Sequence, residues 1–151
     1  MKRPLLLLSL LLLCVGGGSL IGLSFTPDGW YDGLAKPDFN PPDWLFGPVW
    51  TLLYIFIAVA GWRVWSAGGD HAAAKRAWIA QLLFNFAWSP VFFGMHQIGA
   101  ALLVALAMLA SIIAFVVVSW RAERSAALLF LPYGAWVAFA AVLNAAILSL
   151  N

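Results

Sequence analysis

Apolar residues run along this chain in five long stretches, roughly Leu5–Phe25, Leu45–Trp65, Ala77–Met95, Ile98–Trp120 and Ala126–Leu150. A helix needs ~20 mostly apolar residues to cross the hydrocarbon core of a bilayer. Backbone groups in hydrocarbon must be satisfied internally, which leaves helices or closed barrels. Unbroken apolar runs, rather than alternation with a period of two, select helices. The links Ser66–Asp70, Gly94–Gln97 and Arg121–Arg124 are short, and tight links force sequential helices to pack antiparallel. Only residues 26–43 leave room for a loop with a structure of its own, and a long ordered loop is usually functional. The pattern therefore predicts an all-α fold, an integral membrane five-transmembrane-helix bundle with a long ordered loop between helices 1 and 2. Residues 1–151 read as a single membrane domain.

Composition sharpens this. Hydrophobic residues make up 64% of the chain and charged residues 9%, whereas a soluble domain carries about 25% charged residues. A water-soluble globule is excluded. Lys2-Arg3 ahead of Leu5–Leu13 also has the form of a signal peptide, and Cys14 sits where a lipoprotein cysteine could. Yet Leu13 before the cysteine is not small, and apolar character continues to Phe25, so an uncleaved first helix is expected. Cys14 is the one cysteine, which leaves no internal disulfide. His71 and His96 fall in turns without a thiol or carboxylate cluster, so no metal is expected.

Charge sets an orientation. With five spans, Lys2, Arg3, Arg63, Lys75, Arg76, Arg121 and Arg124 share one side, and Lys36 stands alone on the other. The positive-inside rule makes the N-terminus cytoplasmic and puts the first loop and the C-terminus outside. The basic excess is thus a topology signal, and no nucleic-acid partner is implied. Membrane lipid is the implied surroundings.

The polar residues left inside the spans are few. Gln81, Asn85, Trp88 and Ser89 recur on one face of the third span, and Pro132, Tyr133, Trp136, Ala140 and Asn144 lie nearly on one face of the fifth. Phe46, Trp50 and Tyr54 form an i, i+4 row in the second. Trp44, Trp62, Trp65, Trp78 and Trp120 lie near span ends, where an interfacial belt accounts for them. Trp50, Trp88 and Trp136 lie deeper, where an indole donor wants a partner. Asn85 and Asn144 could serve as glue between helices, or the three faces could converge on a cavity for a flat, apolar ligand with a few polar edges. Pro41-Pro42 would stiffen a lid over it. The fourth span reads as structural, with Ala100, Ala107 and Ala114 as a packed seam. Gly18 and Gly22 form a small-xxx-small pair suited first to packing within the chain and second to a dimer seam. No carboxylate or cation sits mid-span, and no nucleophile set or phosphate loop is visible, so conventional catalysis has no set of residues.

The motifs Trp30-Tyr31-Asp32, Lys36-Pro37, Pro41-Pro42, Phe46-Gly47-Pro48-Val49-Trp50-Thr51-Leu52-Leu53-Tyr54, Gln81-Leu82-Leu83-Phe84-Asn85, Trp88-Ser89-Pro90-Val91-Phe92-Phe93, Pro132-Tyr133, Trp136, Phe139 and Leu143-Asn144 resemble, in order and spacing, the translocator protein family. That family is also called TspO/MBR, tryptophan-rich sensory or peripheral benzodiazepine receptor-like. The resemblance implies a five-helix membrane bundle, often a homodimer. It implies binding of tetrapyrroles such as protoporphyrin IX or haem, in sensing, transport or detoxification, with no cofactor required for the fold. Sterol-like and benzodiazepine-type ligands are bound by animal members. Some bacterial members promote light-dependent porphyrin breakdown, an enzymatic alternative in which Trp50 and Trp136 would be the acting residues. A structural or regulatory partner protein is the remaining alternative.

By motif position, the ligand site implied comprises Trp30, Pro41, Pro42, Phe46, Trp50, Tyr54, Asn85, Trp88, Tyr133, Trp136, Ala140 and Asn144. Asp38 departs from the aromatic or small residue many members carry there. The stretch Ala145–Leu150 lacks the aromatic-then-basic cholesterol pattern of animal members, which lowers the expectation for sterol. Long apolar helices favour the bacterial cytoplasmic membrane over the outer membrane that houses some members.

Overall fold

A computed structural model describes residues 3–151, so Lys2 of the basic N-terminal flank lies outside the described residues. Among them there are helices and no strands. We number the helices α1 (Arg3–Ser24), α2 (Gly29–Asp32), α3 (Asp43–Ser66), α4 (Ala72–Ser89), α5 (Ile98–Ala122) and α6 (Arg124–Leu150). Four of them, α1, α3, α5 and α6, are long and apolar enough to cross a membrane. Helix α4 carries Lys75, Arg76, Gln81 and Asn85 and is the least apolar of the long helices. It begins at Ala72, earlier than its apolar run predicts, where Asp70 Oδ1 accepts from Ala72 N at 2.9 Å.

Two π-turns matter for the interior. One spans Leu12–Gly16 within α1 and buries Cys14. The other, Pro90–Gly94, extends α4, with Met95 N donating to Pro90 O at 2.9 Å. A proline ring prevents the regular ladder from continuing. The wider turn swings Phe92 inward, where it is 1% exposed.

Around the bundle, α1 packs on α3, α3 on α6, α6 on α5, and α5 on α4. Helices α3 and α4, although consecutive, touch only slightly. They are joined where Trp78 of α4 packs against Gly61 and bonds Ile57 O of α3, and farther along both line the cavity described below. At one end of the bundle, Trp62 Nε1 donates to Arg3 O at 2.9 Å and Arg63 Nε donates to Glu123 Oε1 at 2.9 Å. At the other, Asn151 Nδ2 donates to Ala35 O and Ala35 N donates back to Asn151 Oδ1, both at 3.0 Å.

The outside is apolar and the inside partly polar, the inverse of a soluble protein. Leu12, Leu20, Leu23, Leu83, Leu103, Val117 and Val142 project outward with most of their surface exposed, while Gln81, Asn85, Ser119 and Asn144 are buried. Only a lipid surrounding makes that distribution favourable.

Several expectations are corrected. Trp78 is no belt residue. It is 3% exposed, and its Nε1 donates to Ile57 O at 2.9 Å. Gly61 makes room for its ring, since a Cβ there would lie 2.8 Å from it. Ala100 and Ala114 face outward, and the packed seam of α5 is Ala101, Ala105, Met108, Ile112, Phe115 and Ser119. The seven-residue alanine spacing was misleading because small residues suit an inner or an outer face equally. Pro132 also points outward, away from the face of Tyr133 and Trp136. Gly18 is buried against the Tyr54 ring, so it packs within the chain, while a Cβ at Gly22 would meet nothing within 4 Å.

Gly61→Val should lower the unfolding midpoint in detergent by introducing about 1–3 kcal/mol of overpacking strain. Gly22→Ala, where a Cβ meets no neighbour and helix propensity rises, should leave the midpoint equal or slightly higher. Circular dichroism melts compare the two directly.

Candidate functional site

The tertiary fold leaves a cavity of about 580 Å³ between α1, α3, α4 and α6, within the ~300–1,000 Å³ usual for ligand pockets. From α3 come Phe46, Trp50 and Tyr54; from α4, Asn85, Trp88 and Ser89; from α6, Trp136, Ala140, Leu143 and Asn144. Helix α1 presents Gly18, Ser19 and Gly22, of which Gly18 admits the Tyr54 ring and Gly22 leaves open space beside it. Helix α5, expected to be structural only, adds Ala105 and Met108. Asp43 is the one charged residue on the wall among the described residues.

The aromatic rings are arranged edge to face. Phe46 lies 5.9 Å from Trp136 at 72°, and Trp50 lies 6.3 Å from Tyr133 at 71°. Trp50 and Tyr54 are tilted at 34° and 5.5 Å apart. Such geometries match the ring quadrupoles and favour a fixed wall. Trp136 Nε1 is buried and has no acceptor among the described residues. An unpaired donor in a dry, apolar setting is costly, so the indole has an unmet need for an acceptor.

Beneath the aromatic wall runs a chain of hydrogen bonds. Tyr54 Oη donates to Asn85 Oδ1 at 2.8 Å, and Asn85 Nδ2 donates to Tyr133 Oη at 2.9 Å. Tyr133 Oη donates to Gln81 Oε1 at 2.8 Å, and Gln81 Nε2 donates to Trp78 O at 2.8 Å. At the start of α5, Trp88 Nε1 donates to Asn144 Oδ1 at 3.2 Å while Asn144 Nδ2 donates to Ile98 O at 3.0 Å. Both asparagines thus act as glue between helices, and both also lie on the cavity wall.

Residues 25–42, with α2 inside them, join α1 to α3 beside the cavity. Asp28 Oδ1 accepts from Trp30 N at 3.1 Å and Tyr31 N at 3.3 Å and so nucleates α2. Lys36 Nζ donates to Tyr31 O at 2.7 Å and lies 4.4 Å from the Tyr31 ring centroid. Trp30 stacks on His96 at 4.2 Å and 16°, which fastens the segment to the turn between α4 and α5. Burial, reinforced by the nearby Asp43 carboxylate, raises the Tyr31 hydroxyl above the usual phenol pKa, so it remains a neutral donor.

Of the residues singled out by sequence, Phe46, Trp50, Tyr54, Asn85, Trp88, Trp136, Ala140 and Asn144 line the cavity. Trp30, Pro41, Pro42 and Tyr133 are not part of its wall. Trp30 is turned toward His96 and Phe92, and its neighbour Tyr31 takes the place on the wall. Pro42 is exposed, and the two prolines set the extended approach to α3 rather than touching the cavity. Tyr133 is fully buried behind the wall and acts through Asn85. Phe92 and Phe93 also line the cavity and were not singled out. Their place depends on the π-turn, which the apolar pattern does not signal, although Pro90 marks its position.

The family model for TspO/MBR matches residues 10–150. This chain belongs to the TspO/MBR family. It is 42% identical over 123 residues to a tryptophan-rich protein TspO of Archaeoglobus fulgidus, covering 81% of this chain and 80% of that relative. It is 38% identical over 146 residues to a tryptophan-rich sensory protein of Cereibacter sphaeroides, covering 97% and 91%. It is 38% identical over 119 residues to the human translocator protein, covering 76% and 70%. Membership and the apolar helices together make it an integral membrane protein of that family.

Asn85→Leu should destabilise the protein by about 1–3 kcal/mol, because the Tyr54 and Tyr133 hydroxyls each lose a buried partner. Thermal unfolding in detergent would show it. A wild-type midpoint would mean that the chain of bonds contributes nothing to stability.

Proposed function

We propose that this TspO/MBR protein binds tetrapyrroles of the protoporphyrin IX or haem type in the cavity between α1, α3, α4 and α6, in sensing, transporting or detoxifying them. The observation that carries the reading is that Trp50 of α3 and Trp136 of α6 both line this one cavity. Flat aromatic walls favour a flat aromatic ligand through dispersion and ring stacking. The wall offers no cation among the described residues. The carboxylate edge of such a ligand therefore belongs at the water-facing mouth, with its hydrocarbon edge inserted. The mixed apolar lining also accepts the flat body of a sterol-like molecule.

The same proposal treats α4 as a fifth span. Its polar residues Gln81 and Asn85 are buried against α3 and α6 rather than facing lipid, so its modest apolarity does not argue against crossing. Helix α1 is retained as a span, since Leu10, Cys14 and Gly18 pack into the bundle. Arg3, whose carbonyl accepts from Trp62, and Arg63, paired with Glu123, lie at one end of the bundle, which supports a basic cytoplasmic face in the bacterial cytoplasmic membrane. A homodimer would use an outer face, because Gly18 is occupied by Tyr54.

The test is titration of the detergent-solubilised protein with protoporphyrin IX, followed by quenching of intrinsic fluorescence and corrected for lost emission. Trp50→Phe and Trp136→Phe should each weaken binding roughly two- to tenfold. Unchanged affinity in the double variant would overturn this site. Product formation under illumination, compared between wild type and Trp136→Phe, tests the photochemical alternative. Equal turnover by porphyrin in empty micelles would make the protein a bystander.

A further inference from the structure

The sense of the buried hydrogen-bond chain is dictated from its far end. Trp78 O is a backbone carbonyl and can only accept, so the Gln81 atom 2.8 Å from it must be the amide nitrogen. That leaves Gln81 Oε1 facing Tyr133 Oη at 2.8 Å, so Tyr133 must donate its one proton there. With that proton committed, Tyr133 Oη can only accept from Asn85 at 2.9 Å, which identifies Nδ2 as the atom involved. Asn85 Oδ1 then faces Tyr54 Oη at 2.8 Å, so Tyr54 in turn must donate. No amide in the series can be flipped without setting two acceptors against each other.

The consequence appears at the cavity. Tyr54 is on its wall, but its proton is held by Asn85, so its oxygen has only lone pairs to offer. A phenol that could ordinarily serve either way is made a one-way acceptor by a carbonyl four residues of network away. We infer that Tyr54 is a specificity-determining residue that selects, at the inner end of the cavity, a ligand presenting a neutral hydrogen-bond donor. Suitable groups are a hydroxyl, a pyrrole or amide N–H, or an un-ionised carboxyl. An ether or carbonyl placed there meets lone pair against lone pair in a dry site, and a carboxylate meets the same repulsion without a cation on the wall. This deepens the tetrapyrrole reading and rests on the same cavity.

Two probes of one shape isolate the effect: carbazole, which has an N–H, and dibenzofuran, which has an ether oxygen in its place. Calorimetric titration of the purified full chain in micelles, corrected for partitioning into empty micelles, should give carbazole roughly three- to tenfold tighter binding. Tyr54→Phe should bring the ratio close to one, mainly by weakening carbazole. Equal binding of the two probes to the wild type overturns the inference, and needs no variant to be folded. A preference that survives in Tyr54→Phe, or failure of both probes to bind, also overturns it. Protoporphyrin IX titrated in parallel separates the two readings. Saturable porphyrin binding without a donor preference removes only the role of Tyr54. A donor preference without porphyrin binding removes the tetrapyrrole reading and leaves the polarity of the cavity standing.

Discussion

The bundle depends on satisfying amides and phenols where no water can reach them. Gln81 and Asn85 are buried in a protein whose outer surface is apolar. Each would be costly if unpaired, and each is paired with a group from another element or from the chain's own backbone. The series from Tyr54 through Asn85, Tyr133 and Gln81 to the Trp78 carbonyl ties α3, α4 and α6 together. Trp78 then returns to α3 through Ile57 O. Apolar packing alone does little to choose among helix arrangements in lipid, since a lipid tail is as apolar as a leucine. Directional bonds make the choice specific, and they hold α3 and α4 in register while leaving them apart.

That separation is what creates the cavity. Small residues on α1 shape that space: Gly18 admits the Tyr54 ring, and Gly22 faces no neighbour within 4 Å. The aromatic residues of α3 and α6 then form walls, and the π-turn after Ser89 adds Phe92 and Phe93. The same phenylalanines meet α2 from the other side. Tyr31 lies 6.1 Å from Phe92 and 5.4 Å from Phe93. The α1–α3 connection and the cavity wall are thereby joined through rings in contact. The proposed ligand site and the segment proposed to cover it share one aromatic cluster.

Residues close in sequence divide these tasks in a way that motif position alone does not show. Trp30 and Tyr31 are adjacent, yet one fastens the segment to His96 and the other faces the cavity. Pro132 and Tyr133 are adjacent, yet one faces lipid and the other is fully buried. A helix rotates about 100° per residue, so neighbouring positions report on different surroundings. Tyr133 shows further that a residue can shape a site without touching its contents, through the proton it withholds from Asn85.

The sequence by itself determined that this is an all-helical membrane protein, where four of its five long helices run to within a turn, and which deep residues were candidates for a shared hollow. Those conclusions follow from run length, composition and helical spacing, all of which are local. It also carried enough motif in order to mark the TspO/MBR resemblance. Only the tertiary structure decided that α3 and α4 stand apart, that Trp78 is core rather than belt, that the inner face of α5 runs through Ala101 and Ala105 rather than Ala100, and that Tyr31 replaces Trp30 on the wall. Each of these depends on how helices are rotated against one another. In a chain that is apolar on nearly every face, hydrophobicity leaves that rotation undetermined, and it is settled by ring shape, absent side chains and the few hydrogen bonds that must close.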